Sequence, residues 1–251
     1  MHRSVSITSA VGFLVALGMI ATVSAQQPAQ GGRGGGQGAP KPAAVPAALV
    51  LNVTFQPAVA GKTEQLPFVQ ANIANPDIEL KQYGSGNQVL TNAGNPAQFI
   101  PFSLWTGETT GPFALTFRSK TNSLDLTGGS KIRWATKTSG FHSVQPVVKL
   151  LDGSMFIGDV MSQNVAAMMI SEFHVGTVRW MKLDPMRVVT MTTPGGTFNQ
   201  IWASPDLSKV DEVGVADLIP GSGHGTGGWV HVGSLEVYGK AVPRASNTAS
   251  R

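Results

Sequence analysis

The sequence predicts an all-β domain, an antiparallel two-sheet β-sandwich, and three observations support this fold class. Short runs rich in β-branched and aromatic residues recur about every ten residues, separated by Gly, Pro, Asn and Asp. The chain has no cysteine, so a hydrophobic core rather than a disulfide scaffold must stabilise it. Only one short segment has helical spacing, which favours a sandwich over a parallel α/β fold.

The predicted strands combine high β propensity with turn residues at their ends. In Lys131–Thr138, for example, Ile132, Trp134 and Thr136 alternate with more polar neighbours, which is the period of a half-buried strand. The full set is Ala48–Phe55, Gln98–Leu104, Phe113–Arg118, Lys131–Thr138, Val144–Leu151, Arg179–Asp184 and Trp229–Tyr238.

Two local patterns refine this picture. Asp152-Gly153 follows Val144–Leu151, and because Asp-Gly tolerates the positive φ angles of a tight turn, it predicts a hairpin. The segment from Met161 to Phe173 is ambiguous. It is either a helix, with apolar residues at intervals of four, or a turn leading into a strand from Met168 to Val175.

The two ends of the chain differ in composition from the middle. Residues 1–25 contain a basic start, an apolar run and small residues at Val23-Ser24-Ala25, which predict a cleavable signal peptide. Residues 26–46 are rich in Gly, Pro and Ala and predict a disordered linker. The sandwich domain is assigned to 47–240 and a flexible tail to 241–251. We therefore expect an exported protein, periplasmic, cell-surface or secreted, without a membrane span after cleavage.

Charge argues against nucleic acid as the partner. The formal net charge is +4, and the basic residues are scattered among acids rather than clustered. Charged residues make up 13% of the chain, about half the usual fraction. Such a surface is typical of exported β proteins but identifies no ligand.

A family resemblance appears near the C-terminus. Leu235-Glu236-Val237-Tyr238-Gly239, together with Val178–Asp184, resembles strands of the galactose-binding-like jelly rolls, which include discoidin or coagulation-factor C-type domains and several carbohydrate-binding modules. The resemblance implies a jelly-roll sandwich whose partner is a glycan or polysaccharide. No cofactor is predicted apart from a structural calcium ion, which the resemblance suggests at Glu236 because many of these modules hold calcium with a glutamate at the matching place.

Aromatic residues beside turns are the candidate ligand-binding residues. Of the five tryptophans, Trp134 and Trp180 lie within predicted strands and are assigned to the core, whereas Trp105, Trp202 and Trp229 border turns, where a ring can stack on a sugar. The Gly-rich loop 221–228 leads into a strand, so it lacks the following helix that a nucleotide-binding loop needs. The predicted site, at one end of the sandwich, comprises Trp202, His224 and Trp229, with Arg187 and Asp206 as polar companions.

No catalytic residue is predicted. The histidines lack zinc-ligand spacing, and the chain has no Gly-x-Ser-x-Gly nucleophile motif. The leading hypothesis is an exported non-catalytic carbohydrate-binding module. Two alternatives stay open: an exported polysaccharide hydrolase or lyase, whose paired carboxylates a sequence cannot reveal, and a surface or periplasmic module that binds protein.

Overall fold

Sixteen β-strands, β1 to β16, form in the part of the chain that the structure, a computed structural model, describes: residues 46–61, 64–191, 202–221 and 227–244. These residues all belong to one unit, Ala43–Arg251. The predicted signal peptide and residues 26–45 of the predicted linker lie outside them. No helix in these ranges is long and apolar enough to span a bilayer. The 3-10 helices are short: Gln70–Asn72, Ser85–Gln88, Pro96–Gln98, Val175–Thr177 and Leu207–Lys209.

The strands pair antiparallel in two layers. Layer 1 contains β1 (Ala48–Thr54), β3 (Leu90–Asn92), β4 (Ser103–Trp105), β7 (Lys131–Gly140), β11 (Met169–His174) and β16 (Gly228–Pro243). Strand β16 lies in the middle of this layer, between β7 on one side and β1 and β4 on the other, and β11 forms the edge beyond β7.

Layer 2 is larger and contains the remaining strands. They are β2 (Ile78–Gly84), β5 (Phe113–Ser119), β6 (Asn122–Asp125), β8 (Ser143–Leu150), β9 (Met155–Gly158), β10 (Ser162–Gln163), β12 (Trp180–Asp184), β13 (Val189–Thr190), β14 (Trp202–Ala203) and β15 (Val210–Asp217). The main order is β2-β5-β15-β8-β9-β12-β13. The end of β16 joins the two layers, because its residues 240–243 pair with β6.

The core lies between the layers, because alternate residues of each strand point inward. One cluster of buried side chains combines Ile132 and Trp134 of layer 1 with Leu115, Val148 and Val215 of layer 2. This arrangement confirms the predicted all-β, two-layer fold. It also confirms the assignment of Trp134 and Trp180 to the core.

A β-bulge in β16 keeps this long strand in register with the core. Its pairing with β7 shifts between Val232 and Ser234, so Gly233 is an extra residue. One extra residue reverses which face each later side chain occupies. As a result Val230 and Val232 before the bulge, and Leu235 and Val237 after it, are all fully buried.

A second apolar cluster covers part of the outer face of layer 2. It contains Ala114, Val147 and Ile157, all fully buried. Val188, in the turn after β12, packs into this cluster, and its amide donates to the Asp184 carbonyl at 2.8 Å. Layer 2 is therefore shielded on this face, in contrast to layer 1.

Several local predictions can now be compared with the structure. The Asp152-Gly153 hairpin is confirmed, with β8 and β9 paired and Gly153 at φ +87°. The ambiguous segment ends in a strand, β11. The predicted strand Gln98–Leu104 is wrong over most of its length, since Phe99 has φ +56° after a 3-10 turn and only Ser103–Trp105 is extended.

The tail boundary also needs correction. The sequence predicts a flexible tail over 241–251, but Ala241–Pro243 continue β16 along β6. Arg244 then forms an ion pair with Asp211 and donates to the Ser119 carbonyl at 3.0 Å. Polar side chains and β pairing therefore extend the domain beyond the predicted boundary at Lys240, while residues 245–251 lie outside the described ranges.

The packing of layer 2 leads to a stability prediction. Gly214 lies on β15 between β5 and β8, where a Cβ would collide with the backbone carbonyl of Leu115. Backbone cannot yield as a flexible side chain does, so Gly214→Ala should destabilise the domain by about 1–3 kcal/mol. Gly129→Ala is the matched control, because a Cβ there meets nothing within 4 Å. Urea denaturation checks this, and equal stability of the two variants would contradict it.

Candidate functional site

An aromatic row crosses the outer face of layer 1. We use this name for Trp105, His231 and Trp229. Trp105 on β4 is the register partner of His231, and their ring centroids lie 6.3 Å apart. The Trp229 ring stands perpendicular to His231 at 4.8 Å. Trp105, a candidate platform left out of the predicted site, is only 2% exposed and cannot stack on a sugar, whereas Trp229 is half-buried. His231 therefore packs against one side of Trp229 and leaves part of its ring open.

His231 is the fixed centre of the row. Its Nδ1 lies 3.0 Å from the hydroxyl oxygen of Ser103. Burial, together with the charge of Lys137, lowers the pKa of His231 to about 4. The imidazole is therefore neutral at neutral pH, because a buried cation beside another cation is unfavourable. The aromatic row consequently carries no charge at neutral pH.

A cavity of about 400 Å³ opens beside Trp229. Lys137 and Ser139 on β7 face outward next to it, as the alternation of that strand requires. The Lys137 ammonium lies 5.3 Å from the centroid of the Trp229 ring. The cavity thus combines aromatic, hydroxyl, amide and ammonium groups, and its lining residues are Lys137, Thr138, Ser139, Asn164, Ala166 and Trp229.

The wall opposite Trp229 is held to β7 by two hydrogen bonds. The amide of Thr138 donates to the Val165 carbonyl at 3.1 Å, and the amide of Val165 donates to the Thr138 hydroxyl at 3.1 Å. Asn164, just before, has φ +53°, a conformation that asparagine tolerates better than most residues. The backbone next to Asn164 is therefore fixed to β7, although Asn164 itself lies just outside strand β10.

Two further cavities extend this one into a trough along layer 1. A cavity of about 480 Å³ shares Asn164 and Ala166 with the first. A third, of about 650 Å³, shares Ile170 with the second and also contacts Phe99 and Gly233. Phe99 is 89% exposed. Because the three cavities share lining residues, the outer face of layer 1 offers an extended surface rather than a single closed pocket.

Trp202, by contrast, lies on layer 2. It is 43% exposed on β14, which pairs with β12, and the Arg179 guanidinium lies 4.2 Å from its ring centroid. Arg179 is itself bound to Asp159 at 2.7 Å. Trp202 and Trp229 therefore belong to different layers, each with its own cation.

The predicted polar companions have local partners. Arg187 pairs with Asp184 at 2.8 Å and lowers the pKa of that carboxyl. Asp206 caps the 3-10 helix Leu207–Lys209 by accepting from the Ser208 amide and pairs with Lys209 at 3.0 Å. His224 lies outside the described residues. In the described part of the chain, the structure gives Trp229, Trp202, Arg187 and Asp206 separate partners rather than one shared set.

The surroundings of Glu236 do not suit calcium. Its carboxylate accepts the Tyr238 hydroxyl at 2.7 Å and lies 3.6 Å from the Arg133 guanidinium. Calcium needs six to eight oxygen ligands, and a neighbouring cation disfavours it. Within the described ranges there is no group of three or more His, Asp and Glu side chains arranged to hold a metal. A calcium ion at Glu236 stays a prediction that these contacts do not support.

A buried acid in layer 2 has a structural explanation. Glu212, 2% exposed, accepts from the hydroxyls of Thr116 and Tyr83 and from the Lys149 ammonium at 3.1 Å. Burial raises the pKa of Tyr83 in the same cluster. A general acid or base must reach its substrate. A carboxylate so enclosed and so fully bonded instead stabilises the sheet.

Lys137, His231 and Asn164 are the site residues that the sequence analysis missed. The alternation of Lys131–Thr138 already placed Lys137 on the solvent face. What the sequence did not show was the register that sets Lys137 opposite His231 on β16. Asn164 carried no signal, because it lay in the ambiguous segment.

No protein-family profile and no curated protein sequence matches this chain. Among solved structures, it is similar to a family 11 carbohydrate-binding module of a cellulosomal cellulase of Clostridium thermocellum, with 12% identity, 75% of this chain and 99% of that chain covered, and a TM-score of 0.38. It is also similar to a family 11 module from Clostridium thermocellum in complex with a β-1,3-1,4-mixed-linked tetrasaccharide. Here the identity is 11%, the match covers 77% of this chain and 99% of that chain, and the TM-score is 0.35.

An exo-β-agarase structure is also similar, with 12% identity, 74% of this chain and 26% of that chain covered, and a TM-score of 0.35. The chain spans about a quarter of the length of the agarase structures that it matches. Carbohydrate-binding modules and agarases are thus among the solved structures similar to this chain. With TM-scores this low, its function has to be inferred from its own side chains.

The aromatic row leads to a prediction about pH. The pKa of His231 is about 4 in the folded protein and 6.5 in the unfolded chain, so the unfolded chain binds the proton first as pH falls. His231 should therefore cost roughly 3 kcal/mol of stability between pH 7 and pH 4. His231→Gln, which does not titrate, should lose this pH-dependent component. Urea denaturation at both pH values checks this, and parallel pH profiles for the two proteins would contradict it.

Proposed function

We propose that this chain is an exported, non-catalytic carbohydrate-binding module that recognises a polysaccharide along the outer face of layer 1. The observation that carries the proposal is the half-buried Trp229, which stands on His231 and opens into a cavity with hydroxyl, amide and ammonium groups. Export rests on the signal peptide predicted from residues 1–25.

The chemistry of the cavity fits a sugar. The C–H face of a pyranose ring packs on an aromatic ring, while its hydroxyls need donors and acceptors at the rim. Trp229 supplies the aromatic surface, and Ser139 and Asn164 supply the polar groups. The contact with His231 restrains the Trp229 ring, so little side-chain entropy is lost on binding.

The length of the trough favours a polymer over a monosaccharide. The first cavity, at about 400 Å³, is near the small end of ligand sites. The two adjoining cavities provide further surface around Ile170 and Phe99. A chain of several sugar units can therefore lie on layer 1 with Trp229 at one end.

Binding is favoured over hydrolysis at this site. Glycoside hydrolysis usually needs two carboxyl groups on either side of the scissile bond. The lining residues described around the Trp229 cavity include no carboxylate. This composition suits recognition of the sugar without turnover.

The test compares two tryptophans that both lie under a cation. On polysaccharides identified with a glycan array, Trp229→Ala should weaken binding at least about ten-fold, because it removes the aromatic platform. Trp202→Ala, on layer 2, should leave the affinity unchanged. Isothermal titration measures both, and thermal melting confirms that each variant is folded.

Three results would contradict the proposal. Loss of binding in Trp202→Ala but not in Trp229→Ala would move the site to layer 2. Release of reducing or unsaturated sugar ends by the unmodified protein would show catalysis. A protein partner in pull-down experiments, with no glycan bound on the array, would favour the adhesion alternative.

A further inference from the structure

We propose that the polysaccharide bound beside Trp229 is anionic, and that the Lys137 ammonium binds its carboxylate or sulfate group. This inference rests on the proposed function and specifies the class of ligand. The first supporting observation is the composition of the cavity, in which Lys137 is the one charged residue among those described in its lining.

The second observation is that Lys137 lacks the carboxylate partner that most of the other described lysines have. Within the described ranges, Lys137 forms no ion pair, and its ammonium lies over the Trp229 ring, 5.3 Å from the ring centroid. Five other lysines each have a carboxylate at 3.0–3.2 Å: Lys81, Lys131, Lys149, Lys209 and Lys240. The charge of Lys137 is therefore available to a ligand.

The third observation concerns the acidic side chains farther along the outer face of layer 1. Glu172 and Glu236 lie opposite Arg133, four residues along β7 from Lys137 and hence about 13 Å away along the strand. Both are already paired, Glu172 with Lys131 at 3.0 Å and Glu236 with Arg133 at 3.6 Å. His231, beside Lys137, is neutral near pH 7. Among the residues that line the cavity, the charge is thus that of Lys137.

The form of the lysine side chain determines which anions are suitable. An ammonium on a flexible four-carbon chain acts as a compact charge without the fixed fork of arginine. It can turn from the Trp229 ring to the edge of a stacked sugar. Carboxylates of uronic acids and sulfate esters both accept such a charge-assisted hydrogen bond. The shared chemistry is therefore an anionic group at the edge of a sugar ring.

The experiment uses matched polymers that differ only in charge. One pair is polygalacturonate and its fully methyl-esterified form, and the other is κ-carrageenan and its desulfated form. The domain should bind the charged member of at least one pair about ten-fold more tightly, and the pair that shows this identifies carboxylate or sulfate as the source. This advantage should shrink between 0.1 M and 1 M NaCl, because salt screens exposed charges.

Variants assign the effect to one residue. Lys137→Met keeps the aliphatic length and should lower binding of the charged polymer about ten-fold, to the level of its neutral partner. Lys182→Met is the matched control, because it removes the same charge from an exposed position on β12 of layer 2 and should change nothing.

The outcomes separate this inference from the proposed function. No preference for the charged member of either pair, or a preference that Lys137→Met retains, would overturn the anionic class. In that case, loss of neutral glycan binding in Trp229→Ala would still support the module. If Trp229→Ala binds every polymer as tightly as the unmodified protein does, the proposed function itself fails.

Discussion

The bulge at Gly233 in β16 is the constraint on which both the core and the open face of layer 1 depend. Side chains alternate along a strand, so one extra residue lets apolar groups on both sides of the bulge face inward. The same alternation sends Trp229 and His231 outward, beside β7. Without this reversal, the apolar side chains on one side of the bulge would face solvent. Core packing and the aromatic row are therefore two consequences of one backbone feature.

The layered β fold could be predicted from those segments whose pattern depends only on neighbouring residues. The alternation around Trp134 and the Asp152-Gly153 turn both depend on neighbouring residues alone, and both proved correct. The phase change in β16 was also visible, because Val230 and Val232 are out of step with Leu235 and Val237 across a glycine. The prediction of one uninterrupted strand over Trp229–Tyr238 does not include this change of phase. The wrong strand at Gln98–Leu104 contains Pro101, which cannot donate to a sheet.

The site was harder to predict, because it depends on pairing between distant segments. Trp105, Trp202 and Trp229 all border turns and carry the same local signal. Only the strand pairing shows that Trp105 is buried within the row, that Trp202 belongs to layer 2, and that Trp229 opens into a cavity. Lys137 acquires its significance in the same way, from the strand beside it rather than from its neighbours in sequence.

Hydrogen–deuterium exchange with and without saturating polysaccharide tests most directly whether layer 1 carries the ligand. Binding should slow exchange in peptides from 131–140, 161–171 and 227–235, which form the trough. It should leave 179–190 and 202–209 unchanged, since these surround Trp202 on layer 2. Protection confined to the second group would contradict the account, because the ligand would then occupy the opposite layer.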